Sequence, residues 1–316
     1  MDYIETKYGD VYGVSHINEY EDGVVKECIL NQENIIKTPY GNLVPRYEQE
    51  NVRDKYNKSI SFYKNGNIKS MALQKASLIK TAYGDFEAEL LTFYNDGSIK
   101  RLFPLNGKLT GYWEEEQEKT LAKPLVFNQG MLEVNHKCIS LTFYNSGVLK
   151  AITLWDNEYF TLETKHGMII SRIGAKFYES SKLLGIEPAY PSLITTPIGE
   201  VFCFDAMAVG IHSDNPSLKF TEDDQVMELK TSTDYIEITG KSGIHIIYKP
   251  KLIPNMMNPD EMETLPLTIS IGEESIKFNN SLDHEYLLNE VEIKIKHKVH
   301  AINGGCSSCS SCSGNC

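Results

Sequence analysis

An all-β architecture, an elongated antiparallel sheet or solenoid of stacked β-hairpins with a small C-terminal β cap, is what the 316-residue sequence predicts. Three observations carry it. A hairpin-like octapeptide recurs along the chain, a Thr-x-x-Gly element recurs between its copies, and no stretch of twelve or more residues shows a 3.6-residue apolar period.

The octapeptide is clearest at Phe62–Lys69 (FYKNGNIK), Phe93–Lys100 (FYNDGSIK) and Phe143–Lys150 (FYNSGVLK). Weaker copies begin at Glu19, Phe177 and Phe220, and the last two carry Ser181 and Asp224 where the others carry glycine. Asn-Gly and Asp-Gly supply the positive φ of a tight turn without steric cost. The flanks are aromatic before the turn and β-branched or Leu after it, so both suit strands. The expected pattern is alternation within each flank, as in Ser61-Phe62-Tyr63 and Ile68-Lys69-Ser70-Met71, with Phe facing the core and the neighbouring Tyr on the other face, its hydroxyl in water.

Thr-x-x-Gly occurs at Thr6–Gly9, Thr38–Gly41, Thr81–Gly84, Thr164–Gly167 and Thr196–Gly199. The unit is therefore Thr-x-x-Gly, strand, Phe-Tyr strand, turn, strand. In two units the spacing lengthens, which marks Val44–Lys58 and Phe204–Leu218 as insertions. One hairpin cannot bury its own apolar face, whereas stacked hairpins can. The best helical candidate is Trp113–Leu121, at most two turns and mostly polar.

These residues resemble a known family. Phe-Tyr-x-x-Gly-x-Ile/Leu-Lys, with Leu105–Trp113 (LNGKLTGYW) after the copy at Phe93, is similar to the MORN-type repeat, in the variant of bacterial proteins labelled antitoxin-like. The resemblance is sharp over short stretches and loose over residues 1–235; Thr-x-x-Gly lies outside that family's pattern. It implies an extended antiparallel β architecture. It implies no chemistry, because such repeats serve scaffolds, interaction modules and enzymes alike.

Beyond about residue 232 the texture changes. Asp234–Tyr248 reads as two strands joined at Thr239–Gly243. Pro250, Pro254 and Pro259 mark an irregular connection, and Leu265–Ile271 and Glu290–Val299 read as further strands. The domain reading is a repeat region over 1–235, a β cap over 236–300 and a flexible Cys-rich tail over 301–316.

Composition narrows the function classes. The formal net charge is -12, which disfavours nucleic acid and anionic membrane, because phosphate neutralisation needs a basic face. The apolar runs are far shorter than a membrane span, and the acidic N-terminus lacks the apolar core of a signal peptide, so the expected location is the cytoplasm.

Of seven cysteines, Cys28, Cys138 and Cys203 are scattered and are expected to be small buried hydrophobes. The other four, Cys306, Cys309, Cys312 and Cys316, follow the ligand spacing of bacterial-type ferredoxins, C-x2-C-x2-C-x3-C, without the Pro that follows it there. Two-residue gaps let successive thiolates wrap one metal centre, and the small Ser and Gly between them leave backbone N–H groups free to bond sulfur. These four are the candidate metal ligands, for an iron–sulfur cluster, Zn²⁺ or Cu(I). A wet Ser/Gly tail shields a cluster poorly, so the same thiols also read as a substrate for a partner enzyme, or as an idle tail.

Minor candidates are weaker. His297 and His300 precede the tail; His297 shares the apolar strand face of Ile293 and Ile295, where a core histidine is the ordinary reading. His136 and Cys138 share a strand face without a third partner. Asp214-Asn215 and Glu222-Asp223-Asp224 read as solvated turns rather than Ca²⁺ sites. The expected function is a non-catalytic β-repeat scaffold that engages a protein partner and presents the thiol-rich tail. The alternatives are a scaffold whose tail is modified by an enzyme, and an enzyme with its site on the Tyr-rich repeat face.

Overall fold

The computed structural model describes residues 3–48, 53, 58–107, 113–130, 132–208, 215–241, 243, 245–256, 258–279 and 281–297. Nearly all of it is antiparallel sheet, with one α-helix, Glu115–Leu121, inside the segment with helical character. The main sheet is a meander that starts at Val14–Glu19 and ends at Glu285–Leu287. Its two end strands are not paired to each other among the described residues, so the sheet is open rather than closed.

Each octapeptide is a hairpin in this sheet. Its glycine takes positive φ, as at Gly66 and Gly97, and where glycine is missing Ser181 and Asp224 adopt the same left-handed conformation. The flanks do not alternate as expected. Opposite Phe62 lies Ile68, yet opposite Ser61 lies Ser70, so Lys69 is an extra residue in its strand. The same shift places Lys26, Lys100, Lys150, Leu184 and Met227 in bulges of the other five copies. A bulge at the eighth position brings apolar residues three apart, such as Ile68 and Met71, onto one face. The bulged lysines at 26, 69, 100 and 150 lie over the Tyr rings of their own copies, 5.2–5.8 Å from the ring centres.

The Tyr hydroxyls are not left to water. Tyr20 donates to the Phe62 carbonyl, Tyr63 to Phe93, Tyr94 to Phe143, Tyr144 to Phe177 and Tyr178 to Phe220, at 2.7–2.9 Å. Each copy is thereby tied to the next. The physical reason is backbone accounting: the Phe carbonyl lies beyond the paired part of the ladder and needs a donor.

Thr-x-x-Gly forms a second series of hairpins. In all five, the Thr hydroxyl donates to the Gly carbonyl and accepts the N–H of the third residue. This third residue is Tyr8, Tyr40, Tyr83, His166 or Ile198. The first three hydroxyls accept the N–H of Ile68, Ile99 and Leu149, one copy beyond their own. Their rings meet the inward Phe residues, Tyr40 on Phe93 at 6.1 Å and Tyr83 on Phe143 at 6.4 Å. The second series therefore covers the inner face of the main sheet.

Between the layers runs a buried row, one residue from each successive strand. It passes through Cys28, Ile60, Met71, Leu91, Leu102 and Leu141 and continues through Ile186 and Leu229 to Ile269. The C-terminal strands divide. Leu267–Ile271, Ser275–Phe278 and Glu285–Leu287 extend the main sheet beyond Val226–Thr231, while Asp234–Gly240 pairs with both His245–Tyr248 and Val291–His297 in a separate sheet.

Candidate functional site

Cys306, Cys309, Cys312 and Cys316 lie outside the described residues, as does His300. The other three thiols are all in the core. Burial pushes Cys28 and Cys138 up to about 12, and raises Cys203 as well, so none is a thiolate at neutral pH. His136 and Cys138 share a face, but His136 sits 3.1 Å from the Glu158 carboxylate and Cys138 donates to the His136 carbonyl. His297 meets the buried Asp234 carboxylate at 3.0 Å and packs edge-on to Phe202. Both histidines thus have structural partners. Asp214 lies outside the described residues, and Glu222 accepts from Ser180 across the turn. Among the described residues, no group of three or more His, Cys, Asp or Glu side chains is placed to hold a metal.

Charged groups are buried in two places that the sequence did not announce. In the first, Arg53 bridges Glu89 and Glu118 with two edges of its guanidinium. Trp113 Nε1 and the Gly107 N–H also donate to Glu118. Burial opposes the Glu118 charge, yet Arg53 and Trp113 hold this carboxyl below its usual range. A Cβ at Gly107 would collide with that carboxylate. This cluster fastens the 44–58 insertion to the helix, and every carboxylate in it is engaged by donors.

The second place is less complete. On the outer face of the main sheet, Arg172 pairs across the ladder with Glu187, and Lys230 with Thr268. The N–H of Ser217 donates to Glu187 Oε2, which links the two pairs, and Asn279 N–H donates to the Thr268 carbonyl at the far end. The insertion 204–218 brings Asp205 over this row, where it accepts from Lys230 at 2.9 Å and from the Met207 N–H. Glu187 is 4% exposed, and its Oε1 has no hydrogen-bond partner among the described residues; nor do Arg172 Nε and Ser217 Oγ. Burial, with Asp205 nearby, raises the Glu187 carboxyl to about 7 despite the Ser217 N–H bond and Arg172. Beside them the strand bulges, and Ile173 takes φ 67, a conformation that a β-branched residue adopts only under strain.

A two-part cleft opens along this row. One part, about 350 Å³, is lined by Asp205, Asn215, Lys219, Glu228, Lys230 and Thr268, with Met207, Leu265 and Pro266. The other, about 290 Å³, shares Leu265, Pro266 and Thr268 and adds Lys249, Lys251 and Asn279. Its lining comes from four separated segments that only the strand register brings together. The one advance signal was the lengthened spacing that marks the 204–218 insertion.

Fold and site together define an all-β protein of bulged hairpins in two layers, with unevenly distributed charge on its outer face. Compared with protein families, curated proteins and solved structures, the chain matches none of them. Among the described residues no helix is long and apolar enough to cross a membrane.

Proposed function

We propose that the chain is a non-catalytic β-repeat scaffold that engages a protein partner and presents Cys306, Cys309, Cys312 and Cys316 to a metal ion or iron–sulfur cluster in a reducing cytoplasm. One observation carries this reading: Cys28, Cys138 and Cys203 are buried and held as thiols, which leaves thiolate chemistry to the closely spaced four. The repeat residues support the scaffold half. The Tyr hydroxyls of the octapeptides tie one hairpin to the next and the Thr hydroxyls close their own turns, so both are engaged in holding the repeats.

The test is metal content after anaerobic purification, in the whole chain and in one ending at Asn303. The proposal expects iron with sulfide, zinc or copper in the first and none in the second. Thiolates ligate as a set, so Cys309→Ser or Cys312→Ser each cuts loading sharply while Cys28→Ser does not. An iron–sulfur cluster shows visible bands that bleach on reduction; Zn²⁺ exchanges for Co²⁺ to give a coloured tetrahedral thiolate complex. If neither chain binds metal after reconstitution and the tail carries a covalent mass change, the four thiols are a modification substrate instead.

A further inference from the structure

We infer that the outer-face cleft binds a phosphate monoester carried on a hydroxylated, sugar-sized body. Among the described residues, the smaller part of the cleft is lined by Lys249, Lys251, Thr268 and Asn279 with apolar groups. Lys249 and Lys251, two residues apart, both line it, are exposed, and have no ion-pair partner among the described residues. Among the described residues Thr268 Oγ1 has no hydrogen-bond partner, and Asn279 accepts the Thr268 N–H through its amide oxygen, so its amide nitrogen remains to donate. Among the described residues no carboxylate lines this half. Two ammonium groups and two neutral donors form a site for a compact dianion. Lysine acts as a point charge, which suits phosphate, whereas a planar carboxylate is better served by the arginine fork. A phosphate monoester carries close to two charges at neutral pH.

The larger part has a different chemistry. Lys219 is paired with Glu228 at 2.7 Å and Lys230 with Asp205 at 2.9 Å, so acceptors and donors alternate at fixed positions. Sugar hydroxyls, each both donor and acceptor, satisfy such a wall; an alkyl chain does not. Leu265 and Pro266, shared by both parts, offer an apolar strip for a ring face. Volumes of about 350 and 290 Å³ are the scale of a small-ligand site. The chain's net charge of -12 repels extended polyanions, which favours a small anion as the occupant.

The test is calorimetric titration of the full chain at low salt with glucose 6-phosphate, ribose 5-phosphate, inorganic phosphate and glucose. The expected result is one-site binding of a sugar phosphate at least about tenfold tighter than inorganic phosphate or glucose. The exposed double variant Lys249→Ala/Lys251→Ala should weaken it at least about tenfold, and Lys241→Ala should not. Glu228→Gln should weaken the sugar phosphates and leave inorganic phosphate unchanged. Sugar phosphates binding no tighter than inorganic phosphate, equal binding by the double variant, or binding only to vesicles containing phosphatidic acid would each overturn the inference. Replacing Cys306, Cys309, Cys312 and Cys316 with serine should leave this binding intact, so the cleft and the thiol site are judged separately.

Discussion

Ser181 and Asp224 stand where the other copies have glycine, at φ 68 and 57. An L residue there has lost the conformational freedom that glycine keeps, at a cost on the order of 1 kcal/mol. Part of this cost is offset because glycine makes the unfolded chain more flexible. Ser181→Gly and Asp224→Gly should each therefore raise stability by about 0.5 kcal/mol, and Gly97→Val should lower it by roughly 1–3 kcal/mol, read from urea midpoints. Stabilisation by the valine would contradict the turn assignment. Glu187 makes a second prediction at this scale. Its folded carboxyl is raised from the ordinary 4.5 to about 7, so the folded state favours the protonated form. That contribution is fully present below about pH 4.5 and is lost as pH rises to about 7. Wild type should fall in stability relative to Glu187→Gln across this window, by at most about 3 kcal/mol, and run parallel to it above. A pH-independent difference would mean that the carboxylate is charged in the fold.

At the scale of the element, the bulged hairpin is the recurring device. Its eighth residue leaves the ladder and covers the copy's own Tyr, which in turn donates to the next copy's Phe carbonyl. Lys100→Leu should be tolerated within about 0.5 kcal/mol, since Leu184 and Met227 occupy the same position in other copies. Deleting Lys100 removes the bulge but leaves Ile99, Arg101 and Leu102 opposite Phe93, Thr92 and Leu91 in an unbroken ladder, so later residues should keep their faces and the hairpin should stay folded. Tyr94→Phe should cost about 1 kcal/mol, because the Phe143 carbonyl loses its donor. Circular dichroism and urea unfolding of the three variants separate these outcomes; a deletion that unfolds the hairpin would contradict the bulge register. Hairpin identity was legible in sequence because Asn-Gly and Asp-Gly fix the turn residue by residue. The bulge left a trace as well. Ile68 and Met71, or Ile99 and Leu102, are three apart, and plain alternation cannot bury both. The Tyr bonds were not legible, because a hydroxyl's partner lies on the next copy, and its place depends on register. The cleft was less legible still: Asp205, Lys230, Lys251 and Thr268 share no local pattern and meet only after the 204–218 insertion and the Lys251–Leu265 hairpin fold over the sheet.

For the molecule as a whole, the reach of these ties sets how stability is distributed. The Tyr of each octapeptide binds one copy ahead, and the Thr-x-Tyr-Gly hairpin also serves the copy after its own. The continuous part of the architecture is the buried row between the layers, and within the main sheet each of its residues pairs with residues of adjacent strands. Stability should then be close to a sum of copy and nearest-neighbour terms rather than one indivisible quantity. Phe62→Ala tests this. Phe62 is buried in the second copy, and its carbonyl receives the Tyr20 hydroxyl, so truncation should cost about 3–5 kcal/mol locally. Under nearest-neighbour coupling, amide exchange should accelerate in the copies at Glu19, Phe62 and Phe93 and remain near wild type in Phe220–Thr231 and Leu267–Phe278. Uniform acceleration along the chain would show that the two layers unfold as a single unit, and that the buried row couples the ends more strongly than the ties between adjacent copies do.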